Sequence, residues 1–195
     1  MFQCLFRPAS SLNFRRFSHI SYFCRMNPDH QNICIQCGLC CDGTLFHHAR
    51  IQANEPLETE YSFETIVRRK PAFRLPCNYL KDKVCSIYDR RPYSICANFQ
   101  CKLLRAVRSG NTTPAGALKI INEVIDMKTN IESQILEHHP ENTGDSLPRK
   151  LKEFQLHFAH TMSEVETRRK FGQLFLSYFM LKKKLSDSFM RNQAI

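Results

Sequence analysis

Four sulfurs stand within eight residues in Cys34-Ile-Gln-Cys37-Gly-Leu-Cys40-Cys41, and four more, Cys77, Cys85, Cys96 and Cys101, form a later run. This pattern constrains the fold more than any other feature of the chain. A short chain with so many cysteines is either stapled by disulfides outside the cell or folded around metal inside it. The leader Met1-Phe-Gln-Cys4-Leu-Phe-Arg7-Pro8 has no clean apolar core, because Arg7, Pro8, Asn13, Arg15 and Arg16 interrupt it, so no secretory signal is read there. The thiols should therefore stay reduced. Two-residue spacings and the adjacent pair Cys40 and Cys41 also suit converging thiolates better than unstrained bridges.

A C-x-x-C loop lets two sulfurs reach one zinc or iron at about 2.3 Å. Three cysteines at C-x-x-C-x-x-C with a distant fourth are also the arrangement that wraps a cubane iron–sulfur cluster. Cys34, Cys37 and Cys40 follow that spacing. Cys41 is awkward, since neighbouring side chains diverge in both helix and strand. It could serve a second metal, exchange with Cys40 or be a free thiol. Eight sulfurs allow two four-ligand sites or one site with spares, and spacing alone does not choose. The opposing reading of any one cysteine is a small buried hydrophobe, which fits Cys41 and Cys101 better than the other six.

In order along the chain come Cys34-x-x-Cys37-x-x-Cys40-Cys41, Cys77 with Leu80, Cys85-x-Ile87-Tyr88 with Arg91-Pro92, and Cys96-x-x-Phe99-x-Cys101. On these elements the sequence resembles the CxxCxxCC (YkgJ-like) family of zinc- or iron-chelating cysteine-cluster proteins. The resemblance covers residues 34–101. It implies binding of zinc or iron, or of an iron–sulfur cluster, by the eight cysteines Cys34, Cys37, Cys40, Cys41, Cys77, Cys85, Cys96 and Cys101, mostly without an assigned reaction. The usual pattern has an arginine directly after the cysteine equivalent to Cys96; Ala97 stands there in this chain, which puts a role needing a cation at that position in doubt. One branch of the family methylates lysines of flagellin, but no nucleotide-binding domain or glycine-rich phosphate loop accompanies the cysteines here. The sequence thus leaves three readings open: a metal chelator, a metal- or cluster-dependent protein-modifying enzyme such as a lysine N-methylase, and an interaction adaptor with a structural metal. Catalytic residues are not assigned.

Of 195 residues, 43% are hydrophobic and 24% charged, which fits a folded globular chain. The net charge of +10 is unevenly placed. Residues 1–25 carry four arginines and no acid, residues 26–101 nine basic and eight acidic residues, and residues 102–195 fifteen and ten. A nucleic-acid binder would concentrate charge on its recognition module, and the cysteine-bearing centre is nearly neutral, so no dedicated nucleic-acid binding is expected. A protein partner on the basic tail is one expectation. No apolar run approaches the roughly 20 residues of a spanning helix, so the chain is expected to be cytoplasmic and not membrane-spanning.

The expected organisation is a leader at 1–26, a cysteine-cluster domain at 27–105 and a helical extension at 111–195. The leader is either transit-like, implying mitochondrial import, or an over-extended start before Met26. The fold class is small α+β: a loop-rich, metal-bound module followed by an all-helical extension. Glu58–Val67 reads as a short strand. Thr113-Pro114 reads as a helix start, with apolar residues running from Leu118 to Ile135 up to His138-His139-Pro140. Pro148 precedes a short helix with Leu151, Phe154 and Phe158. Ser163-x-x-Glu166 reads as a capping box before a longer helix.

Among other candidates, His47 and His48 could complete a site as nitrogen ligands, but surface imidazoles fit better where thiolates are plentiful. Asp89, Arg90 and Arg91 beside Tyr88 could orient an anion or hydrogen-bond cluster sulfurs, though a turn before proline is the plainer reading. Arg68-Arg69-Lys70 reads as a solvated face. His138-His139 and His157-x-x-His160 could look like ligands; the second pair lies at i, i+3 on a helix, but no paired Glu-x-x-His pattern accompanies it.

Overall fold

The computed structural model describes residues 28–57, 60–66, 69–161 and 163–190. The leader expected at 1–26 lies outside the described residues. Helix α1, Pro28–Cys37, comes first. Strands β1 (His48–Arg50), β2 (Thr65–Ile66) and β3 (Ala72–Arg74) form an antiparallel sheet in the order β1-β3-β2, with Ala49 opposite Phe73 and Thr65 opposite Phe73. β4 (Leu80–Lys81) and β5 (Val84–Cys85) form a separate hairpin. Helices α2 (Ser94–Asn98), α3 (Lys102–Arg108), α4 (Pro114–His138), α5 (Leu147–His157) and α6 (Val165–Phe189) complete the chain. Small sheets followed by helices agree with the expected α+β class.

α4 starts where the sequence places it. Thr113 accepts a hydrogen bond from the Gly116 amide through Oγ1 at 3.0 Å, and Pro114 fills the first turn, where its missing N–H costs nothing. Ala117, Ile121, Val124, Ile131 and Ile135 recur on one face and are buried. They pack with Leu147, Leu151 and Phe154 of α5 and with Phe171, Leu174, Leu181, Leu185 and Phe189 of α6. The same core includes Ile33 and Leu39 of the first cysteine run and Leu103, Leu104 and Val107 of α3. The helical tail therefore supplies most of the apolar wall against which the cysteine-bearing elements fold, at about 1.5–3 kcal/mol for each large side chain removed from water. A smaller core of Ile51, Phe73, Leu75 and Tyr93 lies under the sheet.

Two local expectations change. Among the described residues of the strand expected over Glu58–Val67, only Thr65–Ile66 pair as strand. Upstream, Tyr61 and Phe63 turn their rings onto Tyr79, Phe73 and Tyr93, with centroids 4.8–5.6 Å apart, so aromatic packing replaces ladder pairing. The capping box at Ser163 does not form. Glu164 is the N-cap of α6 and makes no side-chain cap bond.

Candidate metal centre

Cys34 and Cys37 lie three apart on α1, so they share one helix face. Gly38 then adopts φ +64°, the left-handed conformation that ends helices and that a Cβ resists. Its carbonyl accepts the amides of Cys41 at 2.8 Å and Asp42 at 3.0 Å, which folds Cys40 and Cys41 back in a turn. The Leu45 amide reaches the Leu39 carbonyl at 3.1 Å and closes the loop.

The second run is tied to the first by backbone. The Cys77 amide donates to the Cys41 carbonyl at 2.8 Å. Cys77 follows the cis peptide Leu75–Pro76. The β4–β5 hairpin pairs Leu80 with Cys85, and its two turn residues, Asp82 and Lys83, both have positive φ, as a tight twisted hairpin requires. The Lys83 backbone packs on Gly38, where an added Cβ would lie 3.3 Å from the Lys83 carbonyl oxygen. That contact sets the Cys85 strand against α1. Cys96 sits in α2, where its amide donates to the Tyr93 carbonyl at 3.0 Å and its carbonyl accepts Arg91 Nη1 at 3.0 Å. Cys101 is the N-cap of α3, and its Sγ accepts the Leu104 amide at 3.3 Å.

All eight thiols are free, and all eight belong to one electrostatic network. Burial raises Cys37 and Cys96 to about 12 each and raises Cys34, Cys40, Cys41, Cys77 and Cys101 as well. Cys34 keeps an exposed rim, yet the protein around it still disfavours its thiolate. Mutual repulsion adds to burial. Cys34, Cys37 and Cys40 each feel Cys101, whereas Cys41 feels Cys77, Cys85 and Cys96 as well as Cys34. Cys41 also acts on its neighbour Cys40, and Cys34 acts on both.

Two cations oppose this repulsion. Arg91 lies 3.9 Å over the Tyr88 ring and lowers the thiols of Cys34 and Cys96. Arg105 lowers Cys101 from α3. Ala97 leaves no cation at its own position, but Arg91 supplies one five residues before Cys96. Arg105 went unremarked in the sequence because a basic residue in a short helix carries no signal of its own. The link from Asp42 to Lys128 of α4, at 2.9 Å, was equally illegible, because 86 residues separate the pair.

The donor set fits a thiolate-bound metal: eight unbridged sulfurs whose negative charge the protein alone stabilises poorly. The geometry is not preformed. Among the described residues, no three His, Cys, Asp or Glu side chains converge closely enough to hold one ion, so loading requires the thiols to turn toward each other.

The remaining candidates lie elsewhere. His48 is on β1, and Arg69 and Lys70 are exposed. His139, buried, stacks on the exposed His157 with centroids 4.1 Å apart and lies 3.8 Å from Glu153 Oε1 through Nε2, and His138 meets Phe171 edge-on.

Residues 33–118 match the family model CxxCxxCC, described as "Putative zinc- or iron-chelating domain". The cysteine-bearing stretch is thus similar to that family. The match takes in all eight cysteines and continues past Cys101 through α3 into the start of α4, further than the motif elements alone reach. No curated protein and no solved structure matches the chain. Among the described residues no helix is long and apolar enough to cross a membrane.

Proposed function

We propose that the module chelates zinc or iron through Cys34, Cys37, Cys40, Cys41, Cys77, Cys85, Cys96 and Cys101. One observation supports this reading: two cysteine runs separated by 35 residues fold together, and their thiols are free, half-buried or exposed, and electrostatically coupled across the two runs. In this reading residues 27–105 are the chelating module and 111–195 its helical extension. Bound zinc would cross-link the runs as a structural Lewis-acidic ion, whereas iron, alone or as an iron–sulfur cluster, would add redox capacity. The chain's own contribution is to gather the sulfurs and to place Arg91 and Arg105 where they offset thiolate charge. Free thiols also suit a reducing compartment such as the cytoplasm.

A second reading, an adaptor with a structural metal, draws on Leu176, Phe179 and Met180 of α6, which are exposed at 54%, 63% and 51%.

Anaerobic purification followed by an absorption spectrum and analysis for zinc, iron and sulfide tests the proposal. Stoichiometric zinc without colour supports a zinc chelator, and iron with sulfide and a visible band supports a cluster. A metal-free protein with disulfides on mass spectrometry would refute chelation.

A further inference from the structure

Leu176, Phe179 and Met180 stand on the solvent face of α6, each more than half exposed. Their spacing of three and four residues places them on one side of the helix, opposite the buried stripe of Phe171, Leu174, Leu181 and Leu185. Single exposed apolar residues are ordinary on a protein surface, but three on one helix face mark an interaction surface.

This face has relief. Beside Phe179 lies a hollow of about 290 Å³ between α6 and α4, lined by Leu176 and Met180 from α6 and by Met127 and Asn130 from α4. Phe179 is not part of the wall and projects into solvent. A cavity of roughly 150 Å³ takes a benzene ring, so the hollow has room for one phenylalanine ring. A ring and a hollow that fits it therefore lie side by side on one surface. That is the condition for an isologous contact, in which a twofold axis between them seats each copy's ring in the other copy's hollow.

Charge around the hollow points the same way. The exposed flanks of α6 are basic, with Arg168, Arg169 and Lys182, whereas the rim on α4 carries Asp126, exposed one helical turn before Asn130. Laying α6 of one copy across the α4 rim of another brings opposite signs together, which favours that register.

We propose that this face of α6 and α4 is a homodimer interface, with Phe179 of each copy seated among Leu176, Met180 and Met127 of the other. One helix face and one rim bury less than the roughly 1,200–2,000 Å² of a standard interface, so the dimer should dissociate on dilution. The proposal gives the apolar face of the adaptor reading a definite occupant. It does not rest on metal chelation, since no cysteine takes part.

Sedimentation equilibrium of the full chain, as purified with its metal, tests it over a range of protein concentrations. The wild type should pass from monomer to dimer and stop there, because an isologous contact closes on itself. Phe179→Ser, which removes the ring, and Asn130→Lys, which puts a charge in the hollow, should each weaken the dimer about tenfold or more. Leu156→Ser removes an apolar side chain that is 65% exposed on α5, outside this face, and should leave the dimer unchanged. All three positions are exposed, so each variant should keep wild-type thermal stability and metal content. A chain that stays monomeric at its highest soluble concentration, open-ended association, or a dimer indifferent to Phe179→Ser or Asn130→Lys would overturn the proposal. A monomer that binds phosphatidylserine vesicles, and loses them in Phe179→Ser, would also overturn it by assigning the face to a membrane surface.

Discussion

Zinc titrated into the metal-free protein at pH 7 should release close to four protons for every tetrathiolate site formed. The number follows from the state of the thiols. A cysteine at its ordinary pKa of 9.0 is about 1% ionised two units below it, and seven of the eight core thiols are pushed higher still. Zinc binds thiolate, so each ligand must lose its proton on loading. Four ligands then give a conditional affinity that climbs up to about 10⁴-fold per pH unit while the thiols remain protonated. A site of two cysteines and two histidines would release about two protons, because neutral imidazole binds without losing one. Calorimetric titration in buffers of different ionisation enthalpy reads the proton count directly. Release of two or fewer protons per zinc would refute the argument, since it would mean either preformed thiolates or non-cysteine ligands.

The metal-free protein should lose stability in alkali: thiols whose folded pKa is raised contribute stability that is present below about pH 9 and lost as pH rises toward about 12. Urea midpoints at pH 8, 9.5 and 10.5 should fall in that order, and more steeply without metal than with it. Cys37→Ser should release metal and destabilise the module, whereas Cys4→Ser should leave metal content unchanged, both read by elemental analysis. Phe154→Ala, which empties a fully buried site between α5 and α6, should cost about 3–5 kcal/mol in denaturant unfolding. Because its core also holds Ile33 and Leu39, tail and module should unfold in one transition. Gly43→Ala should cost about 1–3 kcal/mol, because residue 43 has φ +80° and an added Cβ would lie 2.9 Å from Ser146 Cβ; a thermal melt would show it.

Several features of this protein were already written in its sequence. The cysteine motif was one, since its spacing alone carries the resemblance that the match over residues 33–118 bears out. The limits of α4 were another, because Thr113, Pro114 and the apolar period are local instructions that act within a few residues. The start of α6 was misread one residue early, since a capping box and a plain glutamate cap look alike until the side chains are placed. What only the tertiary structure decided were the encounters between distant segments: Cys77 on Cys41, the Asp82–Lys83 hairpin turn on Gly38, Lys128 on Asp42, and Arg105 beside Cys101. Each depends on how helices and turns stack around one shared core. Helix propensity and ligand spacing are properties of a few neighbouring residues, and so they can be read in order. Packing is a property of the whole chain, and it alone turned two separate runs of cysteines into one network.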